Sequence, residues 1–336
     1  MANIKDVARL AGVSVATVSR TLDGSPKVTA ATRARVLEAV AACGYVTNAL
    51  ARNFRQRRTH TVLVLVPDIA NPFFSRIIRG IERVALEHGY RILLGDTQYN
   101  AERERAYAAL VTQRQADGII CLGMNIPFAT GRSRSRLDPD WPPFVMACEY
   151  DGEIPAPTVC IDNVRAATEA TRHLLDLGHR DIAFISGPRA SPLCRDRLAG
   201  FTEAMTAAGL RVRRERVRYG DFSLAAGHQQ MRALLGGART PSAVFCANDE
   251  MAIGALRAAR QAGLSLPREL SIVGFDDIAF AEFATPALTT IRQPREQIGV
   301  RSMHLMLEIL RDGQQPGRRI VLTHELVVRE SSVAAP

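Results

Sequence analysis

Lysine is almost missing from this chain: Lys5 and Lys27 are the only two in 336 residues. Neither follows a glycine-rich turn, which excludes the phosphate cradle of a P-loop enzyme, whose lysine must reach the phosphates. The six cysteines (Cys43, Cys121, Cys148, Cys160, Cys194, Cys246) show no CxxC spacing and mostly fall inside apolar runs. They read as buried free thiols of a reducing compartment. The seven histidines have no ligand spacing, His324-Glu325 lacks the second histidine of a zinc-protease helix, and no GxSxG nucleophile elbow occurs. No catalytic constellation, metal or cofactor is therefore expected. A kinase or hydrolase on a similar sheet would need a clustered base and nucleophile. Long apolar runs are lacking too: Val62 to Val66 stops at Pro67, too short to cross a bilayer, and the stretch from Met1 to Asp6 has no signal-type apolar region. A cytoplasmic protein without membrane partners is expected.

What is present is unevenly distributed. The formal net charge is +9, yet residues 1–60 hold ten basic side chains against Asp6, Asp23 and Glu38. That local +7 leaves only +2 for the remaining 276 residues. A basic N-terminus on a nearly neutral body is the footprint of a nucleic-acid module. A membrane-surface segment would need a stronger apolar face than this stretch offers.

Local patterns in the first sixty residues predict three short helices. Ile4 to Ala11 has helical apolar spacing and ends at Gly12, which permits a sharp turn. Ser14 can cap a second helix from Val15 to Leu22, with Val18 and Leu22 inward, and Thr29 a third, with Val36, Leu37, Val40 and Ala41 inward before Gly44. In a helix-turn-helix the second helix enters the major groove. Val15, Ala16 and Arg20 are then candidate base readers, the first two by apolar contact and Arg20 by two hydrogen bonds to guanine. Ser14, Thr17, Ser19 and Asn48 are candidates for phosphate.

Ile4-Lys5-Asp6-Val7-Ala8, Ala11-Gly12-Val13-Ser14, Thr17-Val18-Ser19-Arg20 and Gly44-Tyr45 together resemble the N-terminal signature of the LacI/GalR family of transcriptional regulators. The resemblance implies a hinge helix over Asn48 to Phe54, including Ala51, that folds against its partner copy and wedges a side chain into the minor groove. The family usually has leucine where this chain has Phe54, and an aromatic ring can also unstack a base step. A homodimer on a pseudo-palindromic operator is expected.

Beyond His60 strands and helices alternate. Strand candidates are Thr61 to Val66, Arg91 to Gly95, Gly118 to Leu122, Phe144 to Ala147, Ile182 to Ser186, Ala243 to Cys246 and Ser271 to Phe275. The arrangement occurs twice, which predicts two doubly wound parallel-sheet lobes with a ligand cleft at their strands' carboxyl ends. This α/β body resembles the periplasmic-binding-protein-like core of the same family. That implies three crossings between lobes, near Cys160 to Asn163, Thr290 to Gln293 and Ile320 to Leu322. A transport-type binding protein would share the body but carry a signal peptide and no helix-turn-helix. The expected domains are residues 1–47 for DNA, 48–60 for hinge helix and linker, and 61–330 for effector binding. Within the last, one lobe takes about 61–160 and 293–320, and the other about 162–290 and 321–330.

Phe73, Phe74, Arg197, Phe222, Asn248 and Asp276 lie just beyond strands or at helix starts. By the same resemblance they contact the effector, the aromatics stacking on rings while arginine and aspartate bind hydroxyls. Pro72-Phe73-Phe74-Ser75, Ile77-Ile78-Arg79-Gly80-Ile81-Glu82, Pro192-Leu193-Cys194 and Val244-Phe245-Cys246 resemble a nucleoside-responsive branch, which implies an effector such as cytidine. A purine or sugar effector is the alternative.

Overall fold

The computed structural model describes residues 2–22, 24–45, 58–128, 138, 140–149 and 155–335. The chain divides into two compact units, Met1–Thr59 and His60–Pro336. The expected hinge residues Asn48, Ala51 and Phe54 lie outside the described residues.

The first unit consists of α1 (Ile4–Ala11), α2 (Val15–Leu22) and α3 (Ala30–Cys43). Asn3 caps α1 in a reciprocal box with Asp6, and Gly12 ends it in the left-handed region, φ 63°. Ser14 Oγ accepts from Thr17 N at 3.1 Å and so caps α2, while Thr29 caps α3 and Gly44 closes it at φ 61°. Val7, Ala8, Ala11, Val18, Val36 and Ala39 form the core. Two inward assignments on α3 are corrected: Leu37 is 51% exposed and Ala41 is exposed, because the rotation of α3 turns Val36 and Ala39 inward. On α2, Thr21 is buried beside Val18, whereas Leu22 only packs on the core's margin.

The second unit holds two six-stranded sheets. The first lobe contributes β1 (Thr61–Val66), α4 (Pro72–Glu87), β2 (Arg91–Asp96), α5 (Ala101–Thr112), β3 (Gly118–Cys121), β4 (Phe144–Ala147) and β5 (Thr158–Ile161). The second contributes α6 (Asn163–Asp176), β6 (Ile182–Ser186), α7 (Pro192–Ala207), β7 (Val217–Tyr219), α8 (Leu224–Leu235), β8 (Ala243–Cys246), α9 (Asp249–Gln261), β9 (Ser271–Asp276), α10 (Ala279–Phe283) and β10 (Thr289–Arg292). The chain then supplies α11 (Arg295–Asp312) and β11 (Arg319–Leu322) to the first lobe and β12 (Glu325–Val327) to the second. Strand order is β11-β5-β4-β3-β1-β2 in one sheet and β12-β10-β9-β8-β6-β7 in the other, all pairs parallel except β10 with β12.

Both faces of the first sheet are covered. Val62, Val64 and Val66 of β1 join one core with Ile77 and Ile81 of α4, while Leu63 and Leu65 join another with Ala108 and Val111 of α5. This alternation is why β1 reads as an unbroken apolar run. α4 and α11 cross at Gly80 and Gly299, where a methyl on either glycine would collide with the facing helix's backbone. The second lobe buries one large cluster around Phe184, Phe201, Phe245 and Phe275.

The sheet changes after Ile161, at Gln293-Pro294 and at Thr323-His324. The third change lies later than expected: Val321 and Leu322, assigned from the sequence to the second lobe, pair with Cys160 and Ile161 in the first sheet. Three-residue β12 carries too little pattern to mark the switch by itself.

Candidate functional site

On the first unit, α2 turns its first turn outward. Ser14, Val15, Ala16 and Arg20 are exposed, with Thr17 and Ser19 half-buried. Val18 and Thr21 fix the helix from below. The Ser14 hydroxyl is already shared with the Thr17 hydroxyl, at 2.9 Å, as well as with the Thr17 amide, so these two present one preformed polar ledge. The surface thus combines apolar Val15 and Ala16 with a long cation four residues on, on the same helix face.

In the second unit a cleft follows the carboxyl ends of the strands. It encloses about 450 Å³ of empty space, its mouth included. Phe73, Phe74, Arg197, Phe222, Asn248 and Asp276 all line it, together with Asn71, Tyr99, Leu122, Cys148, Glu149, Leu193 and Gln293. Phe73 and Phe74 open α4, seated by Asn71, whose side chain accepts from Phe73 N at 2.9 Å. Their rings meet edge to face at 5.1 Å, so one braces the other.

Arg197 is held on every side. Its Nε donates to Asn163 Oδ1 at 2.9 Å, Nη1 donates to the Ala247 carbonyl, and the guanidinium carbon lies 3.6 Å from the centre of the Phe275 ring. Its Nη2 stands 3.9 Å from Asp276 Oδ1. Asp276 ends β9 with φ 112°, and its Oδ1 accepts from Gln293 Nε2 at 2.7 Å. Burial pushes this carboxyl up to about 6, against the attraction of Arg197 and the Gln293 hydrogen bond. Asn248 spends its amide on structure: Oδ1 accepts from Met251 N and caps α9, and Nδ2 donates to the Phe222 carbonyl at 2.9 Å. That second bond pins Phe222, which stands at φ 72°.

The cleft also contains residues that sequence patterns did not single out. Glu149, just past β4, is only 6% exposed, and its Oε2 is buried with no hydrogen-bond partner among the described residues. Burial pushes the carboxyl up to about 8, opposed by the Arg197 charge and aided by Glu104. Tyr99, past β2, has its phenol raised by burial and then by Glu149. Tyr99, Cys148, Phe222 and Asp276 all have positive φ, at 55°, 74°, 72° and 112°. Such conformations are costly away from glycine and gather where a ligand site demands them. The signal that picked out Asp276, a polar residue just past a strand, also fits Glu149; its burial is what the sequence does not display.

Among the described residues no group of three or more His, Cys, Asp or Glu side chains is placed to hold a metal ion. None of their helices is long and apolar enough to cross a membrane.

A three-helix unit with an exposed second helix, joined to two parallel-sheet lobes that enclose a cleft, is the architecture of the LacI-type regulators. The chain belongs to the LacI family of DNA-binding transcriptional repressors: residues 3–48 match the bacterial regulatory proteins of the lacI family, and residues 171–332 match the periplasmic binding protein-like domain. It is similar to the HTH-type transcriptional repressor CytR of Escherichia coli (strain K12), at 42% identity over 335 residues, covering 100% of this chain and 97% of that protein. Among solved structures, a complex of the transcriptional regulator CelR with cellobiose superposes with TM-score 0.73 at 34% identity, covering 99% of this chain and 100% of the other. The lac repressor dimer bound to operator and the anti-inducer ONPF gives TM-score 0.87 at 27% identity, with 99% of each chain covered.

Proposed function

We propose that this repressor binds a pseudo-palindromic operator as a homodimer and is released from it by a nucleoside, with cytidine the favoured effector. The observation that carries the effector class is the balance of the cleft. Aromatic faces from both lobes accompany a single guanidinium–carboxylate pair, Arg197 with Asp276, suited to the vicinal hydroxyls of a ribose. Among the described lining residues Arg197 is the sole cation, and Asp276 answers it. A phosphate, with up to two negative charges, finds no unspent cation there, so a nucleoside fits better than a nucleotide. The likeness to CytR supports the same choice. Phe73, Phe74 or Phe222 lies against the base, and the repressor acts in the cytoplasm, where its operator is.

Release requires that the nucleoside prefer the lobe arrangement in which the hinge segment, residues 48–54, does not grip DNA. Calorimetry with cytidine, adenosine, hypoxanthine and galactose tests the class. Cytidine is expected to bind more tightly than its 2′,3′-dideoxy analogue, since each unpaired buried polar group costs on the order of 1–3 kcal/mol. Heat from galactose alone would move the protein to a sugar-responsive role.

A further inference from the structure

We infer that Glu149 takes part in effector binding as a carboxyl that keeps its proton, donor and acceptor at once. Effector affinity is thereby linked to pH. The inference rests on the nucleoside reading of the cleft and names the group that meets the base edge. Three observations carry it. Glu149 belongs to the lobe opposite the ribose pair: it follows β4 of the first sheet, whereas Arg197 and Asp276 belong to the second lobe. It lines the same cleft as Phe73 and Phe74, so a base set against those rings lies on its side. Its Oε2 is buried and has no partner among the described residues, a costly arrangement unless a ligand completes it.

The chemistry follows from the proton. A carboxylate offers only acceptors, whereas a carboxylic acid offers one O–H donor and one carbonyl acceptor side by side. The pairing edge of cytosine presents the complement, an amino N–H beside a bare ring nitrogen. The acid O–H donates to the ring nitrogen and the acid carbonyl accepts from the amino group, with no charge left over in the cleft.

The groups facing Glu149 favour the protonated form. Burial is the main cause and the charge of Glu104 on α5 adds to it, while Tyr99, Cys148 and Cys194 on α7, their own ionisation raised, place no positive charge beside it. Arg197, also on α7, is the one opposing cation, and its hydrogen bonds go to Asn163 and Ala247. Asp276 and Glu250 titrate lower, near 6 and 7, while Tyr99, Cys148 and Cys194 are all raised. Among the described residues lining the cleft, Glu149 is therefore the carboxyl that titrates above neutrality.

Calorimetric titration of the full-length chain with cytidine, from about pH 7 to about pH 9, tests this in the parent, Glu149→Gln and Glu149→Leu. The parent should lose about ten-fold in affinity across the range and take up close to one proton per ligand at its alkaline end, seen as a buffer-dependent heat. Glutamine keeps a donor and an acceptor without a titrating proton, so Glu149→Gln should bind within a few-fold of the parent at neutral pH with a flat profile. Leucine should weaken binding at least about ten-fold. A flat parent profile, an unchanged slope in Glu149→Gln, or full affinity in Glu149→Leu each overturns the inference while leaving the nucleoside reading standing. A parent that binds galactose but gives no heat with cytidine, adenosine or hypoxanthine at any of these pH values overturns the nucleoside reading, and the inference falls with it.

Discussion

Gln293 donates its side-chain amide to Asp276 at 2.7 Å, and Gln293 sits on the two-residue segment by which the chain crosses from β10 to α11. One hydrogen bond thus joins a carboxyl that lines the cleft to the backbone by which the chain passes between the lobes. Residues on either side reinforce it: Arg295, at the start of α11, donates to the Asp277 carbonyl, and Arg292, at the end of β10, pairs with the Asp277 carboxylate at 2.7 Å. On the proposed reading, a ligand hydroxyl that engages Asp276 would compete with Gln293, so binding would be felt directly at a crossing.

Asp276→Ala is accordingly expected to yield a repressor that binds operator normally and no longer releases it with cytidine. Gln293→Ala should lower the unfolding free energy of the effector-binding unit by about 1–3 kcal/mol, because a buried carboxylate loses its donor. Operator titrations with and without cytidine check the first outcome, and urea denaturation the second.

The ligand-free stability of the same unit should fall as pH rises, a sign opposite to that of a salt-bridged carboxylate. Glu149 has an ordinary value of 4.5 and stands at about 8 when folded, so between these values the folded state binds the extra proton. Its stabilising contribution is fully present below about pH 4.5 and is lost as pH climbs through about 8. Glu149→Gln should flatten this part of the profile, read from urea midpoints at several pH values. A parent whose midpoint rises across that window would contradict the assignment.

Arg20→Ala should cost roughly 1–3 kcal/mol at one base position in each half-site, leaving other positions unchanged. Arg9, 82% exposed and paired with Asp6 on α1, should behave differently: its removal weakens all sequences alike if it touches phosphate. Selection of binding sites from random DNA by parent and variants distinguishes the two patterns, and paired, inverted half-sites are expected from the parent.

Phe280 and Phe283 on α10 are 61% and 81% exposed, an unusual display for phenylalanine in a chain with few aromatics. In the homodimer these rings are expected to be covered by the partner copy. Phe283→Glu should shift sedimentation toward monomer at low micromolar concentration and reduce operator affinity in parallel. Unchanged sedimentation would place the interface elsewhere.

Much of this architecture is legible in the sequence because its signals are local. Gly12, Ser14, Thr29 and Gly44 mark helix ends through their own backbone and side-chain chemistry, and the central strands β1, β3, β4, β6, β8 and β9 are apolar runs because both faces are buried. β10 lacks that apolar signal although most of it is buried. It begins Thr289-Thr290, fully buried yet polar, and each hydroxyl is satisfied by partners distant in sequence: Ser332 and the Arg329 amide for Thr289 and Asp249 for Thr290. α3 is alanine-rich, so its apolar spacing points to Leu37 as inward where the structure buries Ala39. In the cleft, Arg197 and Asp276 stand in recognisable motifs, whereas the isolation of Glu149 Oε2 arises only when β4, α5 and α7 are assembled around it.

The late return of the chain to the first sheet bears on how the molecule is made. α11 and β11, both parts of the first lobe, are translated after the whole second lobe except β12. Until then β5 has an open edge and α4 an uncovered glycine face, so residues 60–161 leave the ribosome as an unfinished lobe. The second lobe in turn waits for β12 and for Ser331 and Ser332, which satisfy the buried backbone and hydroxyl of Thr289. Both lobes are thus completed only by roughly the last twenty residues, and a stop codon ahead of Arg319 would deprive both at once.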